Sequence, residues 1–282
     1  MNKFDGATRI HFIVGDPIAQ VKSPFGVSEA LQAKGLNAVC LPLHINSENF
    51  KACLIELSKA KNIDGLIITV PHKFAATNLC ATLSDRAHFL GAANTLRRNA
   101  DGTWHGDMFD GIAWVQAMRE KGESPKGKSA LLVGAGGAGS AISHALLEAG
   151  VTRLAIHDAS NHRKNRLIER LSSLKLATVV AGSANPHGFD IIVNATPQGM
   201  NENDVAPVSL GMLNPSMYVG DVITAPAVTH LIAFAQSIGC RTQTGIDMFS
   251  CVKDLMVNFL THEQSSISFK LQSCNPISPK VS

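Results

Sequence analysis

The chain has 282 residues, 45% hydrophobic and 17% charged, which suffices for two modest domains and excludes wholesale disorder. Lys and Arg total 25 against 22 Asp and Glu, a formal charge of +3, and the basic residues form no block. With 5% aromatic residues as well, neither a nucleic-acid partner nor a membrane surface is expected.

In chain order, Lys3, Asp5 and Arg9 precede a short apolar run, which does not read as a signal peptide. That run, residues 9–15, predicts a strand, followed by a Pro-rich turn and a helix from about Phe25. Residues 39–45 predict a second strand. Phe50, Cys53, Leu54 and Leu57 then fall on one face of a helix for which Ser47 is the candidate N-cap. The continuous apolar run within 64–71 suits a strand buried on both faces. After a further helix, residues 94–98 and 103–107 flank an Asp-Gly turn and predict a hairpin.

Residues 122–128 are polar and rich in Pro and Gly, as in a linker. Beyond them, strand signals at 129–134, 153–158, 177–182, 190–195, 218–223 and 241–245 alternate with helix-length segments, the pattern of a doubly wound parallel sheet. A last helix is predicted over about 247–260, with a polar, loose tail after Ser265. Residues 129–147 lack formal charge, but four glycines and His144 argue against a membrane span. The six cysteines are scattered without CxxC spacing, and read as core residues or free thiols in a reducing compartment. The eleven histidines show no metal-ligand pairing, so no metal is expected.

The strongest local signal is Gly134-Ala135-Gly136-Gly137-Ala138-Gly139, a GxGxxG that follows a predicted strand and opens a helix. Its glycines permit a tight turn, close approach of a pyrophosphate and close helix–strand packing, at a helix N-terminus with free N–H donors. Asp158 lies 19 residues past Gly139, at the end of the next strand, where a carboxylate accepts from a ribose 2′-hydroxyl. NAD is therefore favoured over NADP, although Arg163, one of several basic residues just beyond, is a candidate for a phosphate.

The first half offers polar groups at strand ends and loops: Ser23, Thr69, Lys73, Asn94 and Asp110. Each has a plainer reading, Lys73 as a surface lysine and Asp110 as a helix N-cap among them. Together and in order, GDPIAQVKSP (15–24), TVPHK (69–73), GAANT (91–95), GDMFDG (106–111), GAGGAG (134–139), NATPQGM (194–200) and GIDM (245–248) resemble the shikimate/quinate dehydrogenase family over residues 10–262.

The resemblance implies an α/β fold. An N-terminal substrate domain (1–109, completed by about 247–282) and a Rossmann-type dinucleotide-binding domain (110–246) would face each other across a cleft. It implies Lys73 and Asp110 as the catalytic pair, the lysine relaying the proton of the alcohol undergoing oxidation. Asn94 and Thr69 would hold substrate hydroxyls, and Ser23 would lie near a substrate carboxylate. Asn194, Thr196 and Met200 would sit beside the nicotinamide, with Gly245 among the cofactor-binding residues.

Several positions depart from the family pattern. A serine is replaced by Val21, an Asn-Thr pair by Met108-Phe109, a tyrosine by Thr224 and a glutamine by Val252. Lys22 either offers a cation to a carboxylate or points into solvent. The expectation is a cytoplasmic NAD(P)-dependent dehydrogenase, monomeric or homodimeric, acting on shikimate, quinate or a related cyclic polyol acid. The alternative is a dinucleotide-binding sensor without efficient turnover.

Overall fold

The computed structural model describes residues 4–262; the tail beyond Ser265, together with Cys274, lies outside the described residues. The first half runs β1 (Arg9–Gly15), α1 (Ser23–Ala33), β2 (Ala38–His44), α2 (Ser47–Leu57), β3 (Ile63–Ile68), the one-turn α3 (Lys73–Ala76), β4 (Thr82–Leu83), α4 (Asp85–Leu90), β5 (Thr95–Arg98) and β6 (Trp104–Asp107). These strands form one sheet in the order β2-β1-β3-β5-β6-β4. β1 pairs in parallel with β2 and β3, whereas β3, β5 and β6 are antiparallel neighbours, and the expected hairpin is the β5–β6 pair.

The chain continues as α5 (Asp110–Glu120), β7 (Ser129–Val133), α6 (Gly137–Glu148), β8 (Arg153–His157), α7 (Asn161–Ser172), β9 (Thr178–Ala181), β10 (Ile191–Asn194), β11 (Tyr218–Asp221), α8 (His230–Ser237), β12 (Arg241–Gln243) and α9 (Gly245–Leu260). The second sheet is parallel, in the order β12-β11-β10-β7-β8-β9. Its strand order reverses between β7 and β10, and the crevice beyond their carboxyl ends is where doubly wound sheets take ligands. The α/β class and the doubly wound second sheet agree with the sequence expectation.

Local chemistry explains several element ends. Thr244 and Asp247 form a reciprocal capping box that starts α9 at Gly245, two residues before the expected start. Gly91 ends α4 in the left-handed region at φ 62°. The N-cap of α2 is Asn46, whose side chain accepts from the Asn49 amide, rather than Ser47, which is already helical. α1 begins at Ser23, with Pro24 in its first turn. β3 stops at Ile68, short of the expected end at residue 71.

One apolar core joins the two sheets: Ile13, Val27 and Leu31 share a cluster with Ala130, Leu132 and Ile191 through residues of α5 and α9. α5 packs on both α6 and α9. A Cβ at Gly111 would lie 2.0 Å from the Ala141 carbonyl oxygen, so α5 and α6 meet backbone to backbone. α9 seals the first sheet, where a Cβ at Gly65 would meet Leu260 at 2.3 Å. No described helix is long and apolar enough to cross a membrane.

Candidate active site

The buried strand β3 delivers the chain to the edge of a cleft between the sheets. His72, 2% exposed, stacks on Phe50 with ring centroids 4.2 Å apart, and its Nε2 lies 2.6 Å from the Ile45 carbonyl oxygen. That anchor fixes the start of α3 and hence Lys73. Lys73 Nζ donates to Asp110 Oδ2 at 2.5 Å, and Asn94 Nδ2 donates to Asp110 Oδ1 at 2.7 Å. Asp110 is the first residue of α5 and 4% exposed, and both its oxygens are taken by these partners, which differs from the capping alternative. Asn94 is fully buried, and its Oδ1 accepts from the Phe109 amide and the Thr95 hydroxyl, each at 3.1 Å. These bonds lock the orientation of the amide where it borders the cleft.

The glycine loop forms the facing wall. Gly134 turns at φ +104°, and a Cβ there would lie 2.7 Å from the Ala195 carbonyl oxygen, so the turn and the approach of the chain leaving β10 both require glycine. A Cβ at Gly139 would lie 1.8 Å from the Gly134 carbonyl oxygen, the helix–strand contact expected of the third glycine. At Gly136 nothing lies within 4 Å, so that position opens onto the cleft. At Gly137 a Cβ would be 3.0 Å from the Lys73 stem, so the loop and the lysine abut. Open backbone at Gly136, the amides that begin α6 and an acid at the end of β8 fit a dinucleotide.

That acid, Asp158, is 7% exposed. It accepts from the Ala135 and Ser160 amides, each at 2.7 Å, and from Arg163 Nη2 at 2.9 Å. Burial alone would raise its pKa, but these hydrogen bonds and the guanidinium outweigh it and hold the carboxyl below its ordinary value.

The cleft has a volume of ≈ 750 Å³. Ser23, Thr69, Lys73, Asn94 and Asp110 line it, as do Gly134, Gly136, Gly137, Ala138, Asp158, Arg163, Thr196, Met200 and Gly245. Three expected site residues do not. Ala135 is buried and turns its amide to Asp158, and Gly139 is consumed in helix packing. Asn194 is fully buried at the end of β10, donating to both oxygens of Asp221 at 3.2 Å and to the Gln198 carbonyl. Its Oδ1 accepts from the Thr196 amide and hydroxyl, so Asn194 shapes the loop beside the cleft.

The sequence reading missed other lining residues. Met248, Phe249 and Met256 join Val252 on the cleft side of α9, and Gln198 and Ile223 come from strand-end loops. The helical spacing of the α9 residues carries their signal, but by itself it also describes a core-facing stripe. Among the described residues, no group of three or more His, Cys, Asp or Glu side chains could hold a metal ion.

A doubly wound sheet whose glycine loop abuts a lysine–carboxylate pair defines a dinucleotide-dependent enzyme acting in the cleft between two α/β units. Residues 13–96 match the family model described as the shikimate dehydrogenase substrate binding domain. Over 248 residues the chain is 35% identical to a shikimate dehydrogenase (NADP(+)) of Rubrobacter xylanophilus, covering 86% of this chain and 87% of the relative. In three dimensions it is similar to the shikimate 5-dehydrogenase of Listeria monocytogenes solved with shikimate and NAD, with TM-score 0.82, 26% identity and coverage of 94% and 96%. It is also similar to the quinate dehydrogenase of Corynebacterium glutamicum solved with NAD, with TM-score 0.79, 26% identity and coverage of 90% and 94%. The chain belongs to the shikimate dehydrogenase family.

Proposed function

We propose that this chain is an NAD(P)-dependent dehydrogenase that oxidises a ring hydroxyl of shikimate, quinate or a related cyclic polyol acid, and runs the reduction in reverse. The observation that carries the reading is the seam where the Lys73 stem meets Gly137 while Lys73 Nζ is held on Asp110. A hydroxyl bound at Nζ thereby lies next to the wall that fits the dinucleotide. In this reading residues 1–109, with the helix from about 247, form the substrate unit, and residues 110–246 the dinucleotide unit.

When bound, the dinucleotide supplies the hydride acceptor at its nicotinamide ring. The protein's own part is positioning and proton handling. Lys73 Nζ takes the hydroxyl proton as the carbinol hydrogen leaves with its electron pair, and returns it to the carbonyl oxygen in the reverse direction. Asp110 holds the ammonium so formed, Asn94 fixes Asp110, and Asn94 and Thr69 border the cleft where a neighbouring substrate hydroxyl would lie. Retention of both members of the pair favours turnover over a sensor that only binds dinucleotide.

The assay is production of reduced nicotinamide with shikimate and quinate and either nucleotide. Oxidation of at least one acid is expected, and binding of nucleotide without any turnover favours the sensor. For the nucleotide we propose NAD, because a 2′-phosphate beside the charged Asp158 sets like charges together. Calorimetric titration is expected to give tighter binding of NAD. Tighter NADP binding means that Arg163 leaves Asp158 to meet the phosphate.

A further inference from the structure

The substrate end of the cleft has two unlike walls. One carries the hydrogen-bonding groups Lys73, Asp110, Asn94 and Thr69. The other is the side of α9 that presents Met248, Phe249, Val252 and Met256, with Val21 from the turn before α1, whose neighbours Gln20, Lys22 and Ser23 also line the cleft. The α9 positions stand at i, i+1, i+4 and i+8, one stripe of the helix. Asp247, Ser250, Lys253, Asp254 and Asn258, the polar side chains of α9, do not line the cleft. A substrate hydroxyl turned to this stripe leaves water and finds no hydrogen-bonding partner there beyond weakly accepting thioethers. Hydrocarbon turned to it loses nothing and fills the gap.

We propose that the preferred substrate carries its hydroxyl groups on one edge only. It is a cyclic hydroxy acid whose ring edge against α9 is unsubstituted hydrocarbon, a deoxygenated relative of shikimate rather than shikimate itself. The inference rests on the dehydrogenase reading above and narrows its substrate class. Val252, 5% exposed and central in the stripe, is the specificity-determining residue. An apolar wall discriminates against one added hydroxyl by about 10- to 100-fold. Because the stripe touches the ring edge and not the reacting carbon, the discrimination falls on KM.

The test measures steady-state kinetics of the whole protein with shikimate and with its 4-deoxy and 5-deoxy analogues, both of which keep the allylic hydroxyl. In the parent protein, at least one deoxy analogue is expected to exceed shikimate in kcat/KM by about tenfold or more, through a lower KM. Val252→Gln, which restores a donor and an acceptor to the wall, should shrink that ratio about tenfold. Val252→Thr, nearly isosteric with valine, should move it in the same direction if glutamine proves too large to fold. Shikimate equal to or better than both analogues, or a ratio unmoved in a folded Val252 variant, overturns the inference and leaves the dehydrogenase reading intact. No turnover of any of the three acids with either nucleotide overturns both.

Discussion

At the scale of single residues, the Lys73–Asp110 pair and the buried His11 carry the sharpest expectations. Positioned proton transfer contributes about 10²–10⁴-fold to such reactions. Lys73→Ala should therefore lower kcat by that order, and Asp110→Asn should also slow turnover. The two losses combine less than additively in the double variant, because the residues act as one unit. Initial-rate measurements on both single variants and the double variant check this, and parental turnover by Lys73→Ala would abandon the mechanism. His11 lies in β1 at 4% exposure, and its Nδ1 has no hydrogen-bond partner. Burial pushes it down to about 4; nearby Asp64 opposes the shift and Arg9 adds to it. Above the ordinary value of 6.5 both folded and unfolded chains carry it neutral. Between 6.5 and about 4 the unfolded chain takes up a proton that the folded chain refuses, so stability falls as pH falls, by about 3 kcal/mol across the window. His11→Leu should flatten this slope, read from urea midpoints at neutral pH and near the lower limit. Legibility at this scale was uneven. Lys73, Asp110 and Asn94 were readable as a set because their motifs recur in one order. Nothing in the local sequence of Asn194 revealed that it is buried against Asp221, a partner 27 positions distant.

At the scale of elements, the contact between α5 and α6 is the least forgiving. Gly111 sits in the first turn of α5, where any Cβ strikes the Ala141 carbonyl oxygen on α6. Neither backbone has a flexible side chain to move aside. Gly111→Ala is expected to cost about 1–3 kcal/mol, which at this chain length lowers Tm by about 2–4 °C per kcal/mol. Thermal melting monitored by circular dichroism checks it, and an unchanged Tm would mean that the helices slide apart freely. The elements were readable wherever periodicity and punctuation agreed, as in the β5–β6 hairpin and the apolar β3. Their ends were less so. Asn46 caps α2 in place of Ser47 because only its side chain reaches the Asn49 amide, and two adjacent cap-forming residues look equivalent in sequence. α9 starts early because Asp247, which reads in sequence as the first residue of the helix, is its third and closes the capping box with Thr244.

At the scale of the whole molecule, the two tryptophans report on different sheets. Trp104 belongs to β6 of the first sheet, at 5% exposure. Trp114 is fully buried on α5 and packs against the second sheet, edge-on to Tyr218 with ring centroids 6.2 Å apart. Because one core cluster runs from Ile13 to Ile191, the sheets should unfold together. Trp104→Phe and Trp114→Phe, each leaving one reporter, are expected to show fluorescence transitions that coincide with each other and with circular dichroism. Separated midpoints would mean two independent folding units.

The return of α9 to the first sheet has a consequence for how the protein is made. Phe249 contacts the face of α1 at Gly26, and Leu260 covers Gly65, yet both arrive only after the whole second sheet has been synthesised. A growing chain on the ribosome can complete every strand of both sheets by Gln243 and still lack the lid over Val27, Leu31 and β3. For that interval its first half presents a bare apolar face to the cell, an address that chaperones and proteases read. A message cut short before codon 245 therefore leaves no working half-enzyme, only a nearly finished protein that cannot hide its own interior.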